Sequence, residues 1–348
     1  MAALSLIWLA AIVLAAGALG WMGALILLRV LNEHRTKRHL ADRRAVEKAL
    51  LGVLRGQTNL AAALGPYRRR AHLMSKALLD FLTIFRGADL ETIVEALRVA
   101  GIERVLRDGA MRGSADGRLA SIEALGAFGG AQTQFILLRA AGRGPGQVRL
   151  AALRSLFQAG GEVSVDRMVE HLRRGHLPHS GPTADFMRLV VERDHAAATE
   201  SLAEDGLLLG SRVMLLEALG AAGAYGAIPA LTENIAAARP EVRAAAAVAL
   251  GKLMHPAAEP CLRRALDDPA PEVRSAAAEA IGAAGLKTLS NKLEEGLDDP
   301  VWIVRFQSAA ALAKLGPSGL GALRKAALAS SKAARQAASL VLAQQAQA

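Results

Sequence analysis

The first 28 residues, MAALSLIWLAAIVLAAGALGWMGALILL, hold no charged side chain and one hydroxyl, Ser5. A bilayer hydrocarbon core of roughly 30 Å needs about 20 helical residues, so this run predicts one transmembrane helix over residues 1–31. A cleaved signal peptide is the competing reading. It calls for a basic leading segment and an apolar stretch of only about 7–15 residues, and the chain has neither. Arg29, Arg35, Lys37, Arg38, Arg43 and Arg44 come directly after the run, while nothing basic precedes it except the amino terminus. By the positive-inside rule the N-terminus faces out and the rest faces the cytoplasm, as in a single-pass protein of a bacterial inner (cytoplasmic) membrane. Within the run, Ala16, Gly20 and Ala24 recur every four residues. Such a stripe of small residues lets a partner helix approach closely.

Residues 32–86 change character and read as a basic helical neck. A first amphipathic stretch ends near Gly56, Gly65-Pro66 breaks the chain, and YRRRAHLMSKALLDFLTIFRG resumes it. The six basic residues after the anchor suit anionic lipid headgroups, at about 1 kcal/mol each near the surface. They serve equally well to set topology, with the neck capping the first repeat.

From residue 87 to 348 the pattern is periodic. Arg118 opens RLASIEALGAFGG and Arg149 opens RLAALRSLFQAGG, 31 residues apart. Arg212, Arg243, Arg274 and Arg305 open RVMLLEALGAAG, RAAAAVALGKLM, RSAAAEAIGAAG and RFQSAAALAKLG at the same spacing. A diverged unit fits near Arg188, and a terminal half-unit starts at Arg335. In the unit from Arg243, Ala246, Leu250 and Leu253 line one helix face. After them come a break at His255-Pro256 and a second helix around AAEPCLRRALDD. One hairpin of this kind cannot bury its apolar face alone, whereas stacked copies share a continuous core. The expected fold is therefore all-α: an α-solenoid of about eight helical hairpins, preceded by one transmembrane helix.

Composition agrees. The chain is 52% hydrophobic, yet carries only seven Phe, three Trp and two Tyr. Ala and Leu dominate, which favours helices over a β-sandwich, a barrel or a doubly wound sheet. A formal net charge of +10 suggests nucleic acid until it is located. Thirteen Lys/Arg against four acids lie in 29–86, and 87–348 holds 29 basic and 28 acidic residues. A nucleic-acid-binding solenoid would carry its basic stripe on the repeats, so no nucleic acid is expected.

The segments DDPAPEVRSAAAEAIGAAG (267–285), RPEVRAAAAVALGKL and DDPVWIVRFQSAAALAKLG resemble HEAT-like repeats of the phycobilin-lyase type. That resemblance spans roughly 87–348 and implies a fold far more than a function. The expected role is a membrane-anchored, cytoplasm-facing scaffold that binds a membrane protein or membrane-associated complex. An accessory subunit of an envelope or extracellular-polymer synthase, a secretion system or a transporter fits this description. Second-helix positions form the expected binding surface: Gln134, Arg139, Asn234, Arg263, Arg264, Lys292, Glu295 and Arg324. The alternative is a bilin-lyase-like enzyme that handles a chromophore.

Candidate chemistry is sparse, and neither enzymatic activity, a cofactor nor a small-molecule substrate is expected. A single cysteine, Cys261, excludes an intramolecular disulfide and any CxxC zinc site. It reads as a small core residue on a helix. The recurrent Asp267, Asp268, Asp298 and Asp299 with Arg243, Arg274 and Arg305 read as turn and bridge residues that every copy needs. His171, His176 and His179 interrupt the repeat in HLRRGHLPHSGPTAD, as an insertion, a partner-contacting loop or, with Asp166 or Asp185, a metal site. No Walker loop or GxSxG is present, and Gly142–Gly146 reads as an inter-repeat turn.

Overall fold

The computed structural model describes residues 87–347 except Asp205, the helix Ala71–Leu82 with Ile84, and scattered positions between Gly17 and Leu64. All regular structure among them is helical. Most of the apolar run, including Ala16 and Ala24, lies outside the described residues, as do Arg35, Lys37, Arg38 and Arg43. Gly20, Arg29 and Arg44 are described, each helical and exposed, and a Cβ placed on Gly20 would meet nothing within 4 Å. Among the described residues no helix is long and apolar enough to cross a membrane.

The chain divides into two compact units, Met1–Gly144 with Ala151–Gly161, and Pro145–Leu150 with Glu162–Ala348. The division thus falls within one helix. In the first unit run α1 (Ala71–Leu82), α2 (Ala88–Val99), α3 (Ile102–Arg112), α4 (Ala115–Leu125), α5 (Ala131–Ala141) and most of α6 (Gly146–Gln158). Helix α4 packs on both α1 and α3, and Leu78, Ile93, Leu97, Leu106, Ile122, Leu125 and Phe128 are fully buried. Two buried hydroxyls satisfy each other there: Ser75 Oγ and Ser121 Oγ stand 2.7 Å apart, and Ser121 also donates to the Gly117 carbonyl.

The second unit holds α7 (Val165–Arg173), α8 (Gly181–Arg193), α9 (His195–Leu202), α10 (Leu209–Ala221), α11 (Ile228–Asn234) and α12 (Pro240–Leu253). It continues with α13 (Glu259–Ala265), α14 (Pro271–Ala284), α15 (Ser290–Gly296), α16 (Trp302–Lys314), α17 (Pro317–Ala327) and α18 (Lys332–Gln347). The first helices α8, α10, α12, α14, α16 and α18 pack in order, each on the next. Helices α8 and α9 are the diverged unit expected near Arg188, and α18 is the terminal half-unit. First helices begin earlier than the arginines suggest, at Pro240 and Pro271, because proline's fixed φ and missing N–H suit a first helical position.

Alanines make the stacking tight. In α12, Ala245, Ala246, Ala247 and Ala249 are buried with Val242, Leu250 and Leu253. Glycines 220, 251 and 282 look like breaks in the sequence, but each lies inside the last turn of a first helix, where that helix meets the next one. A Cβ on them would stand 2.5, 2.5 and 2.7 Å from the Cα of Ala249, Ala280 and Ala311. Small residues at both sides of each crossing bring the backbones together.

The true breaks are a separate set, Gly223, Gly285 and Gly316, with φ of 72°, 67° and 83°. Met254 occupies the same register and is held at φ 48°, the only non-glycine with positive φ among the described residues. Its side chain is 63% exposed, so little packing offsets the strain. Met254→Gly is expected to stabilise the protein by about 1 kcal/mol. Urea denaturation would read this as a higher midpoint at an unchanged slope.

Candidate protein-binding surface

The recurrent Arg and Asp residues form an inter-repeat ladder. Arg243 donates from Nε and Nη2 to the two Asp268 carboxylate oxygens, both at 2.7 Å. One repeat on, Arg274 grips Asp299 the same way at 2.7 and 3.0 Å. Each Nη1 also donates to carbonyls five and six residues upstream: Ala237 and Ala238 for Arg243, Asp268 and Pro269 for Arg274, Asp299 and Pro300 for Arg305. Asp268 and Asp299 further accept from the N–H groups of Ala270 and Val301, closing the turn before the next helix. Burial pushes both carboxyls up, but the arginine hydrogen bonds and the turn N–H outweigh it and hold them below the usual carboxylate range. These groups are spent on structure.

The ladder ends at Arg305, whose Nε is buried without a partner among the described residues. The acid lies six residues before the following arginine in the copies that have one, and before Arg335 that place is Ala329. Arg305 stacks instead over Trp302, with its guanidinium 5.4 Å from the ring centroid.

All eight residues expected at a binding surface lie on second helices: α5, α11, α13, α15 and α17. They differ in freedom. Asn234 donates to the Ala230 carbonyl at 2.8 Å and accepts from Arg212, and Gln134 donates to the Ala159 carbonyl at 3.0 Å. Both are half-buried and serve packing. Lys292 bridges Asp267 at 3.0 Å and Glu295 at 2.9 Å, and Arg263 pairs with Glu259 at 3.0 Å. Arg264 and Arg324 are exposed. Arg139 is exposed too, and its guanidinium lies 5.8 Å from the Phe135 ring centroid.

Beside Arg139 the structure reveals a feature that periodicity and charge did not point to. An open groove of about 500 Å³ runs between α3 and α5, lined by Arg104, Arg107, Asp108, Gln132, Phe135 and Ile136. Phe135 is 58% exposed and Leu138, one turn on, is 43% exposed. Arg107 is held by Gln132 and faces Glu103, whereas Arg104 is exposed and has no ion-pair partner among the described residues. The available signal was an aromatic four residues before an arginine, on the helix that already supplied Gln134 and Arg139.

Among the described residues no three His, Cys, Asp or Glu side chains are placed to hold an ion. The His171 and His176 rings lie 5.6 Å apart, while His179 Nε2 is 3.2 Å from Ser211 Oγ. Burial, and then His176, Arg149, Arg167 and Arg174, push His171 below the usual imidazole range, and its Nδ1 is buried without a hydrogen-bond partner among the described residues. Cys261 is buried on α13, with Sγ 3.7 Å from Thr232 Oγ1, and packs as a core residue.

Residues 211–282 and 228–313 match the family model of HEAT repeats. Over this stretch the chain carries HEAT repeats. No curated protein matches the chain. Among solved structures, human deoxyhypusine hydroxylase in complex with glycerol is similar at 22% identity, over 80% of this chain and 98% of that one, with a TM-score of 0.33. Kap95p, whose binding induces the switch loops of RanGDP to adopt the GTP-bound conformation, is 16% identical over 85% of this chain, with a TM-score of 0.46. This chain spans 48% of Kap95p. The complex of CpcE and CpcF of phycocyanin lyase from Nostoc sp. is similar at 20% identity, over 76% of this chain and 92% of that one, with a TM-score of 0.27. Likeness at these identities concerns the helical-repeat fold alone.

Proposed function

We propose that the protein is a single-pass, membrane-anchored scaffold whose HEAT repeats bind a protein partner, as the accessory subunit of an inner-membrane complex. One observation carries the binding part. Residues with structural duties recur at 31-residue spacing, as in Gly220, Gly251 and Gly282, or Arg243, Arg274 and Arg305. The exposed second-helix positions are not held constant in this way: one register carries Glu233, Arg264 and Glu295 in successive copies, and Asn291 stands where the two preceding copies have Pro229 and Pro260. A surface relieved of structural work and varied along a stack suits recognition of one extended partner. The membrane part rests on the uncharged first 28 residues and the basic residues after them. The bilin-lyase-like alternative has no observation of its own in its favour.

The test is purification of the intact chain from membranes in mild detergent, alongside reporters fused after Ala348. A membrane protein is expected to co-purify in stoichiometric amount, and only a reporter active in the cytoplasm should work. An exported, active periplasmic reporter would overturn the topology. Purification of the chain alone would overturn the accessory-subunit role.

A further inference from the structure

The exposed faces of the second helices are polar in α11, α13, α15 and α17, where Glu233, Arg263, Arg264, Asn291, Glu295, Arg324 and Lys325 face solvent. Helix α5 departs from them. It alone among these second helices exposes large apolar side chains, Phe135 and Leu138, within its length. Beside them lies the α3–α5 groove of about 500 Å³, in the size range of a site that receives a ligand or several side chains. Two guanidiniums stand at this place: Arg139 on α5, 5.8 Å from the Phe135 ring centroid, and the exposed Arg104 on α3, which lines the same groove. Aromatic and arginine side chains together are the residues that dominate binding energy when a partner covers them.

We infer that the α3–α5 groove is a docking site for a short acidic segment of a partner protein, with an apolar side chain against Phe135 and carboxylates on Arg104 and Arg139. The charge of the groove selects the occupant. Arg107 is answered by Glu103, but among the described residues Arg104 and Arg139 have no acidic partner and Asp108 is the one carboxylate lining the groove, so a basic segment would be repelled and a neutral one would leave these two arginines unanswered. A planar fork accepts a carboxylate with two parallel hydrogen bonds. The concave shape favours a protruding side chain over a flat anionic lipid surface, and Asp108 on the same wall opposes such a surface. This inference rests on the scaffold reading and gives its partner a chemistry.

A random-peptide display selection on the full chain in detergent micelles tests it. Wild-type protein is expected to enrich peptides that carry Leu, Phe or Trp among Asp and Glu. Affinity for an enriched, fluorescein-labelled peptide should fall at least about tenfold in Phe135→Ala and in Arg104→Glu. It should hold in Lys252→Glu, which changes an exposed lysine on α12 of the other unit, and it should weaken with salt. Both key side chains are exposed, so unchanged helical circular dichroism and melting serve as the fold control. Enrichment of basic or neutral peptides, no enrichment, or binding indifferent to both variants would overturn the proposal. Loss of binding to phosphatidylserine vesicles in the same variants, without peptide enrichment, would also overturn it and mark a lipid face. The two readings fail separately: a membrane subunit that still co-purifies while no peptide class enriches removes this site and leaves the scaffold role intact.

Discussion

Gly251→Leu should cost about 3 kcal/mol or more and break the repeat stack at α12–α14. A Cβ at residue 251 would stand 2.5 Å from Ala280 Cα and 2.6 Å from its Cβ, and neither atom can swing aside. Overpacking a tight core typically costs about 1–3 kcal/mol, and here the intruded atoms are backbone and Cβ rather than a flexible side chain. The two helices must separate, which also loosens the alanine contacts along the same seam. Gly251→Ala should lose less, because better helix propensity returns about 1 kcal/mol, but the net sign should still be destabilising. Gly321→Ala makes the contrast. Gly321 lies inside α17 with nothing within 4 Å of a Cβ, so the same chemical change should stabilise by roughly 0.5–1 kcal/mol. Thermal melts of the three variants check it. Equal melting temperatures for Gly251→Leu and wild type would contradict the close crossing.

Arg274→Ala should destabilise by about 3 kcal/mol, the lower end of the range for breaking a buried pair. The Arg274 and Asp299 side chains are 15% and 10% exposed, and the loss leaves Asp299 nearly buried with only the Val301 N–H and a nearby guanidinium. The Asp268 and Pro269 carbonyls also lose their donor. By comparison, Arg239→Ala should leave the melting temperature close to that of the wild type, since Arg239 and Glu241 are 62% and 47% exposed and solvent screens them. The ladder also sets an acid limit. Asp268 and Asp299 titrate below their unfolded range, so the folded state binds fewer protons than the unfolded one. Their stabilisation is complete above about pH 4, the usual aspartate value, and falls as pH drops through their own lower pKa values. Arg274→Ala should flatten that decline when urea midpoints are compared across the acid range.

Much of the architecture is legible in the amino-acid order. A 31-residue spacing among Arg212, Arg243, Arg274 and Arg305 announces stacked helical hairpins, because each copy must satisfy the same neighbours with the same residue types. Asp-Pro before Arg274 and Arg305 announces a turn and a helix start, and Ala-rich first helices announce close packing. Such features are local or repeated, and repetition makes them readable without coordinates.

Three matters needed the tertiary structure. Glycine means a break at Gly285 but a helix crossing at Gly251, and only the approach of Ala280 distinguishes the two uses. Asn234 and Gln134 look like free binding residues in the sequence, yet their amides are occupied by Arg212, Ala230 and Ala159, partners brought near by the turn of a helix or the packing of a neighbouring repeat. The groove joins Arg104 to Phe135, 31 residues apart on different helices, and its mixed arginine and aromatic wall exists only once α3 and α5 lie side by side. Periodicity reports what every repeat must share. Which residues are left over for a partner depends on which neighbours each one meets, and that is decided by packing.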